Sequence, residues 1–98
     1  MEIKIGKVVS AERMPGSDKL IKFVFDIGSE RRQIVGGFAE AYPDPSVLIG
    51  REMPLLLNLE PRQLRGEISN GMILAAVVDE KPVLLHPEKE IPPGSIVR

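Results

Sequence analysis

The chain has 98 residues, no cysteine, and a formal net charge of −1 from 13 Lys and Arg against 14 Asp and Glu. This length predicts one domain over residues 1–98, and the lack of cysteine excludes disulfides, thiolate metal sites and cysteine nucleophiles. The near-neutral charge excludes the strongly basic composition of a nonspecific nucleic-acid binder, so a positive surface would have to be gathered on one face.

The first residues contain no long apolar run, so we expect no secretory signal. No stretch of the sequence has enough consecutive apolar residues to span a membrane. We therefore expect a protein that has no membrane segment and is cytoplasmic.

The first half of the chain predicts three strands separated by turns. In the second strand, apolar residues recur at every second position, which is typical of a strand with one buried face. We expect its two phenylalanines, Phe23 and Phe25, to lie in the core rather than to stack on exposed bases. In chain order, the predicted elements are a strand over 3–13, a turn over 14–18, a strand over 19–27, a hairpin turn over 28–30 and a strand over 31–35.

The third strand is followed by a segment that departs from the β pattern. Pro43 and Pro45 exclude a long helix there. Asp44 can cap a short helix that begins at Pro45, and Gly50 suits the position after its end. The pattern predicts a helix of one or two turns over about residues 45–49, with one of its apolar side chains in the core.

The second half predicts two core strands, over 52–57 and 72–79, and a C-terminal β extension with strands over 82–86 and 95–98. Residues 72–79 are nearly all apolar, so we expect that strand to be buried on both faces. The predicted order, three strands followed by a short helix and two more strands, is that of a five-stranded OB barrel. OB barrels bind oligonucleotides on one face of the sheet and on the loops of the barrel. The prediction is an all-β, five-stranded OB-fold barrel with a short helix between strands 3 and 4; a small β-sandwich is the alternative.

The connection Asn58–Met72, between the two predicted core strands, carries most of the polar chemistry. Arg62 and Arg65 supply two forked cationic donors three residues apart. Pro61 and Gly66 indicate an ordered loop rather than a flexible linker. Loops of this kind on a rigid sheet often bind ligands. The alternative is a solvated loop whose arginines only maintain solubility.

Residues that could support catalysis are sparse. His86 is the single histidine, it stands at the end of a predicted strand, and no nucleophile motif lies near it, so we expect a surface position. No set of residues has metal-ligand spacing, and Gly36-Gly37 does not extend to a phosphate-binding fingerprint. We predict a binding module with no catalytic residue, no metal and no cofactor.

Short motifs along nearly the whole chain carry a family resemblance. They are Gly6-Lys7-Val8, Asp18-Lys19-Leu20, Asp26-Ile27-Gly28 with Arg31, Asn58–Gly66 with Ser69–Ala75, Leu84–Glu88, and Pro93-Gly94-Ser95. With these motifs in this order, the chain resembles the tRNA-binding domain found at the C-terminus or as the β subunit of methionyl-tRNA synthetases. The same domain occurs in free-standing tRNA-binding proteins and in endothelial-monocyte-activating polypeptides.

The resemblance implies an OB fold, homodimerisation, structure-dependent binding of tRNA and no catalytic site. The module would be accessory to a methionyl-tRNA synthetase, or free-standing. By motif position, the implied RNA contacts are Lys19, Asn58, Arg62, Arg65, Ser69 and Met72. On charge and position alone we add Lys22, Arg31 and Arg32. Two alternatives stay open: Asn58 and Ser69 could bond the protein loop instead of RNA, and Met72 could pack in the core.

A related branch of this fold resembles the CsaA-type export-related chaperones, which hold unfolded peptides as dimers. The acidic composition and the few aromatic residues favour this alternative slightly, whereas Leu64-Arg65-Gly66 and Ser69–Met72 match the tRNA-binding branch better. In either branch we expect the dimer contact at the terminal segments Met1–Lys7 and Ser95–Arg98, because an uncovered strand edge invites pairing.

Overall fold

A five-stranded antiparallel sheet organises the computed structural model, which describes all of residues 1–98. The strands and the helix in chain order are β1 (Ile3–Arg13), β2 (Ile21–Asp26), β3 (Arg31–Gly36), a 3-10 helix (Pro45–Leu48), β4 (Glu52–Leu56), β5 (Arg62–Leu64), β6 (Glu67–Ser69), β7 (Met72–Ile73), β8 (Ala75–Val78) and β9 (Lys81–Leu84). The large sheet has the order β3-β2-β1-β4-β7, while β5-β6 and β8-β9 form two separate hairpins.

Strand β1 is long enough to pair with two neighbours along different parts of its length. Its C-terminal part pairs with β2 and its N-terminal part with β4, and Lys7 takes part in both registers. The register slips between Val8 and Ser10, and a bulge of this kind bends a strand and lets a sheet curl. The backbone N–H of Asn70 donates to the Gln33 carbonyl at 2.8 Å, which brings the far edge of the sheet back to β3. The predicted five-stranded OB-type barrel is confirmed.

The barrel interior is built around three phenylalanines. Phe23 and Phe25 of β2 are fully buried, and their ring centroids lie 5.5 Å apart. Phe38 meets Phe23 edge-on at 6.0 Å. Offset and edge-to-face pairs of this kind add to the free energy gained by burying the rings. The prediction that Phe23 and Phe25 are core residues is confirmed.

The short helix closes one part of the barrel. The Asp44 carboxylate accepts a hydrogen bond from the Ser46 backbone N–H at 3.2 Å, and Pro45 occupies the first helical turn, as predicted. Only Leu48 among the apolar side chains following Pro45 is buried, whereas Val47 and Ile49 are exposed. Leu48 is therefore the side chain that fills the core. The structure contains no helix with the length and apolar character needed to cross a membrane.

The prediction of one buried strand over 72–79 is wrong. The run divides at Leu74, whose backbone N–H donates to the Pro54 carbonyl at 3.0 Å. Strand β8 then leaves the barrel and pairs with β9 through a turn at Asp79-Glu80, so that Val77 is 71% exposed. The physical reason is that an apolar run is compatible both with a buried strand and with an exposed hairpin, and only the tertiary pairing decides between them.

The predicted closing strand over 95–98 is reduced to one bridge, between Lys4 and Ile96. It belongs to a longer extended segment, Pro92–Val97, which we call the C-terminal strap. The strap lies along β1, where the N–H groups of Gly94 and Val97 donate to the carbonyls of Ile5 and Ile3 at 2.7 and 2.9 Å. The strap therefore covers an edge of β1 that the main sheet leaves open.

Residues just before the strap are also fastened to the barrel. The Lys7 ammonium donates a hydrogen bond to the Glu90 carboxylate at 3.0 Å, and this contact raises the pKa of Lys7. The exposed His86 ring places Nδ1 2.7 Å from the Glu52 carbonyl, so its observed contact is structural. No group of three or more His, Cys, Asp or Glu side chains is positioned to hold a metal ion.

Candidate nucleic-acid interface

The connection Asn58–Met72 is a β-hairpin over much of its length, not the long loop that the sequence predicts. Strands β5 and β6 pair from Arg62↔Ser69 to Leu64↔Glu67, which leaves Arg65-Gly66 as a two-residue turn. Both turn residues have positive φ, 48° and 82°, as a type I′ hairpin turn requires. A non-glycine residue in this conformation is uncommon, so Arg65 stands at the hairpin tip despite the backbone cost.

Polar side chains fix this hairpin to strands β2 and β3. The Gln33 amide donates to the Glu67 carboxylate at 3.1 Å and to the Ile68 carbonyl at 3.0 Å. The Lys22 ammonium donates to the other Glu67 oxygen at 3.3 Å. The hydrogen bond from Gln33, and then the hydrogen bond and charge of Lys22, lower the pKa of Glu67. The Glu67 carboxylate is therefore ionised at neutral pH.

Ser69 is a structural residue of the barrel closure. Its side chain is buried, and its hydroxyl accepts a hydrogen bond from the Val35 N–H at 3.0 Å and lies 3.1 Å from the Gly71 carbonyl. Of the alternatives left open by the sequence, the structure shows the one in which Ser69 bonds the protein. Its implied role as a direct RNA contact does not fit this position, because the hydroxyl is turned away from solvent.

Replacing Ser69 with Ala should lower the free energy of unfolding by about 1–3 kcal/mol, because the buried Val35 N–H would lose its acceptor. Urea or thermal unfolding followed by circular dichroism measures this change. Ser29→Ala, at an exposed turn, is the matched control and should change stability by less than about 0.5 kcal/mol. Equal stabilities for the two variants would contradict the structural role of Ser69.

The two arginines of the hairpin are exposed, and neither takes part in any of the three ion pairs of the structure. The Arg65 guanidinium reaches toward the turn between β1 and β2, since a Cβ atom at Gly16 would lie 3.7 Å from Arg65 Nη1. Lys19, also exposed and unpaired, lies in that same connection. Arg65 thus brings the β5–β6 hairpin close to the β1–β2 turn. The hairpin lies in the connection between β4 and β7, which are the fourth and fifth strands of the barrel in chain order. OB folds bind nucleic acids with the loop between strands 1 and 2 and the loop between strands 4 and 5.

The other predicted contacts are placed differently. Arg32 points inward: its side chain is 18% exposed, its guanidinium donates to the Leu57 carbonyl at 2.8 Å, and its Nε lies 3.6 Å from the Glu30 carboxylate. Arg32 faces the same side of the sheet as its buried cross-strand partner Phe25, so its observed contacts are structural, and its RNA contact stays a prediction. Arg31, the preceding residue, is exposed and free of ion pairs.

Asn58 and Met72 flank the hairpin. The Asn58 side-chain carbonyl accepts a hydrogen bond from the Glu2 N–H at 2.8 Å, so at least one of its polar atoms is used to hold the N-terminal segment. Met72 is 46% exposed on β7, which excludes the alternative that it packs in the core. Met72 therefore remains available at the surface, whereas Asn58 is partly committed to the fold.

Sequence reasoning missed the clamp formed by Gln33 and Glu67. Their side chains meet across 34 positions of sequence, and no local motif marks either residue. The available signal was the alternation of β3, which places Gln33 on the side opposite to the buried Ile34. That signal shows that Gln33 faces away from the core, but it does not identify the partner on the hairpin.

The chain is similar to known proteins in both sequence and fold. Residues 3–96 match the family model described as "Putative tRNA binding domain". The methionine–tRNA ligase of Archaeoglobus fulgidus is 52% identical over 97 residues, which are 99% of this chain and 15% of that protein. The chain thus spans about one seventh of the length of this curated relative.

Two solved structures share the fold closely. The crystal structure of a MetRS-related protein from Pyrococcus horikoshii superimposes with a TM-score of 0.92 at 36% identity, covering 99% of this chain and 89% of that one. The crystal structure of the chaperone CsaA from Bacillus anthracis gives a TM-score of 0.88 at 28% identity, covering 99% and 90% of the two chains. Both branches considered from the sequence are therefore represented among its structural neighbours.

Proposed function

The chain belongs to the tRNA-binding domain family, and from this premise we propose that it binds folded tRNA through an exposed cationic rim. The rim consists of Lys19, Arg62 and Arg65. Met72 lies shortly after the hairpin, and Arg31 is a further exposed cation at the end of the β2–β3 ladder opposite to Lys19. The observation that carries the proposal is that Arg62 and Arg65 are exposed and take part in no ion pair, and that Arg65 reaches toward the β1–β2 turn.

Binding at this rim rests on phosphate contacts and on the shape of the RNA. Each guanidinium can bond a phosphate with two parallel N–H groups, which gives a directional, charge-assisted contact. All three phenylalanines are buried and Tyr42 is half-buried, so few rings are free to stack on bases. Recognition therefore depends on where the folded RNA presents its backbone, which is a structure-dependent rather than a base-specific mode.

The proposed role is that of a non-catalytic accessory module, a single domain over residues 1–98. It would act in the cytoplasm with a methionyl-tRNA synthetase, either as its C-terminal domain or β subunit or as a free-standing partner of the catalytic chain. Support comes from the identity to a short region of methionine–tRNA ligases. A module of this kind contributes binding energy for tRNA, while the chemistry of aminoacylation belongs to the catalytic chain.

We expect the module to act as a homodimer. The terminal segments lie side by side and present Met1, Ile96 and Val97, which are 95%, 62% and 39% exposed. Sedimentation at micromolar concentration should give the mass of a dimer, and Ile96→Glu should give a monomer because it places a charge in the contact. Wild-type protein sedimenting as a monomer would contradict this proposal.

The CsaA-type chaperone is the alternative function, supported by the structural likeness to that chaperone. Exposed apolar residues give it a physical basis, since Leu59, Ile68 and Met72 lie on or beside the hairpin. Met and Leu at a surface can adapt to many peptide sequences. The unpaired arginines favour tRNA over this alternative, because an unfolded peptide has no general need for two guanidinium groups.

A binding titration separates the two functions. Folded tRNA, an unstructured RNA of equal length and a reduced, unfolded polypeptide are each titrated at several salt concentrations. The proposed function requires tightest binding to folded tRNA and an affinity that falls with salt, as expected for phosphate contacts. Tightest binding to the unfolded polypeptide, with little salt dependence, would support the chaperone and overturn the tRNA-binding proposal.

A further inference from the structure

A carboxylate with two side-chain partners lies beside the cations of the proposed interface. Glu67 follows the turn that carries Arg65, and its side chain is 39% exposed. The contacts from Lys22 and Gln33 hold it on the outer side of β2 and β3, because Lys22 alternates with the core-facing Ile21 and Phe23. Glu67 is thus fixed in place and negatively charged between the Arg65 turn and the outer surface of β2 and β3.

This carboxylate has two effects on an approaching RNA backbone. It occupies the Lys22 ammonium, which is the nearest cation on the sheet surface, through a 3.3 Å ion pair. It also repels phosphate directly, and the repulsion is strongest close to the partly desolvated protein surface. The cations of the rim, Arg62 and Arg65, have no such partner. Phosphates are therefore favoured at the rim and disfavoured over the sheet.

We propose that Glu67 is a specificity-determining residue that keeps RNA phosphates off the outer surface of β2 and β3 around Lys22 and confines them to the cationic rim. The proposal rests on the proposed tRNA-binding function and deepens it. A flexible single strand can lay its backbone across any available track of cations. A folded tRNA is stiffer and contacts the protein only where its shape allows. Because Glu67 occupies Lys22, the sheet surface next to the rim offers a single strand no free cation, and this arrangement favours folded RNA.

The test is Glu67→Gln, which removes the charge and keeps the size and hydrogen-bonding capacity of the side chain. The variant releases Lys22, so the affinity for unstructured RNA should rise about fivefold and its log–log salt slope should steepen by about 0.7, the value for one added phosphate on a single strand. The affinity for folded tRNA should change by less than about twofold, since its phosphates remain at the rim. The preference for folded tRNA would then fall.

Two further variants isolate the cause. Glu88→Gln changes the net charge by the same amount at an exposed position after β9 and should leave both affinities unchanged. Lys22→Gln combined with Glu67→Gln should remove most of the gain, because the released ammonium is the new contact and only the lost repulsion remains. Thermal unfolding of each variant reports whether the hairpin stays docked; the Gln33–Ile68 and Ser69–Val35 hydrogen bonds remain in all of them.

The outcomes distinguish this inference from the proposed function. If wild-type protein prefers folded tRNA and Glu67→Gln raises the affinity for both RNAs equally, or for neither, the role of Glu67 is overturned while the proposed function stands. A gain that persists at full size in the double variant would also overturn it. If the wild-type protein binds neither RNA, the proposed function itself fails.

Discussion

Replacing Arg62 with Ala and Arg65 with Asn in one protein should weaken the binding of folded tRNA on the order of 100-fold at low salt. Each side chain is exposed and unpaired, so each can form a charge-assisted contact with a phosphate, and losing two such contacts removes a large share of a modest binding energy. The salt slope should fall by about 1.4–1.8, the value for two phosphates. Filter binding at several salt concentrations measures both quantities.

Asn is chosen at position 65 because of the turn. Arg65 has a φ of 48°, and Asn adopts this conformation more readily than most residues, so the hairpin should keep its shape. Arg51→Ala with Lys89→Ala is the matched control, since it removes two exposed cations elsewhere on the protein. If both double variants lose affinity equally, binding depends on net charge alone, and the cationic rim is not the site.

Gly94→Ala should lower the free energy of unfolding by about 2–4 kcal/mol and the unfolding temperature by about 10–25 °C. Gly94 has a φ of +90°, which is unfavourable for alanine, and the added Cβ would collide with the Ile27 carbonyl oxygen. The approach is mutual, because a Cβ atom at Gly28 would lie 2.6 Å from the Pro93 carbonyl oxygen. Two backbone segments meet here, so neither can yield as a flexible side chain would.

Gly50→Ala separates the two causes of this loss. Gly50 has nearly the same φ, +88°, but no atom lies within 4 Å of the position its Cβ would take. Gly50→Ala should therefore lower the free energy of unfolding only by the conformational penalty, about 1–2 kcal/mol. Thermal unfolding followed by circular dichroism compares the two variants. If Gly94→Ala is no more destabilising than Gly50→Ala, the close packing of the C-terminal strap against the β2–β3 turn makes no contribution to stability.

Local chemistry determines the parts of the fold that the sequence predicts well. The alternation in β2 identifies a buried face before any tertiary contact is known, and Asp44 with Pro45 marks the start of a helix through backbone geometry alone. The order of strands and helix is also visible, which is why the barrel could be predicted. These features depend on interactions between residues a few positions apart.

Features that depend on distant partners could not be predicted in this way. The exposure of β8 follows from its pairing with β9 and from its exit from the barrel at Leu74. Whether an arginine binds RNA or the protein itself depends on neighbours elsewhere in the chain, so Arg32 and Arg65 look alike in sequence and differ in the structure. The residue types of the candidate site can therefore be read from the sequence, whereas their division into exposed side chains and side chains that bond the protein cannot.

The C-terminal strap has a consequence for how the chain folds. It hydrogen-bonds to Ile3 and Ile5, so residues near opposite ends of the sequence must meet before β1 is covered. Contacts of such long sequence separation slow folding, and all-β domains of this kind typically fold in milliseconds to seconds. During synthesis on the ribosome, the edge of β1 stays open until the strap has emerged. For that interval the nascent chain presents an unpaired edge to other chains, and a mutation that delays strap docking would raise aggregation during translation even if the finished protein were stable.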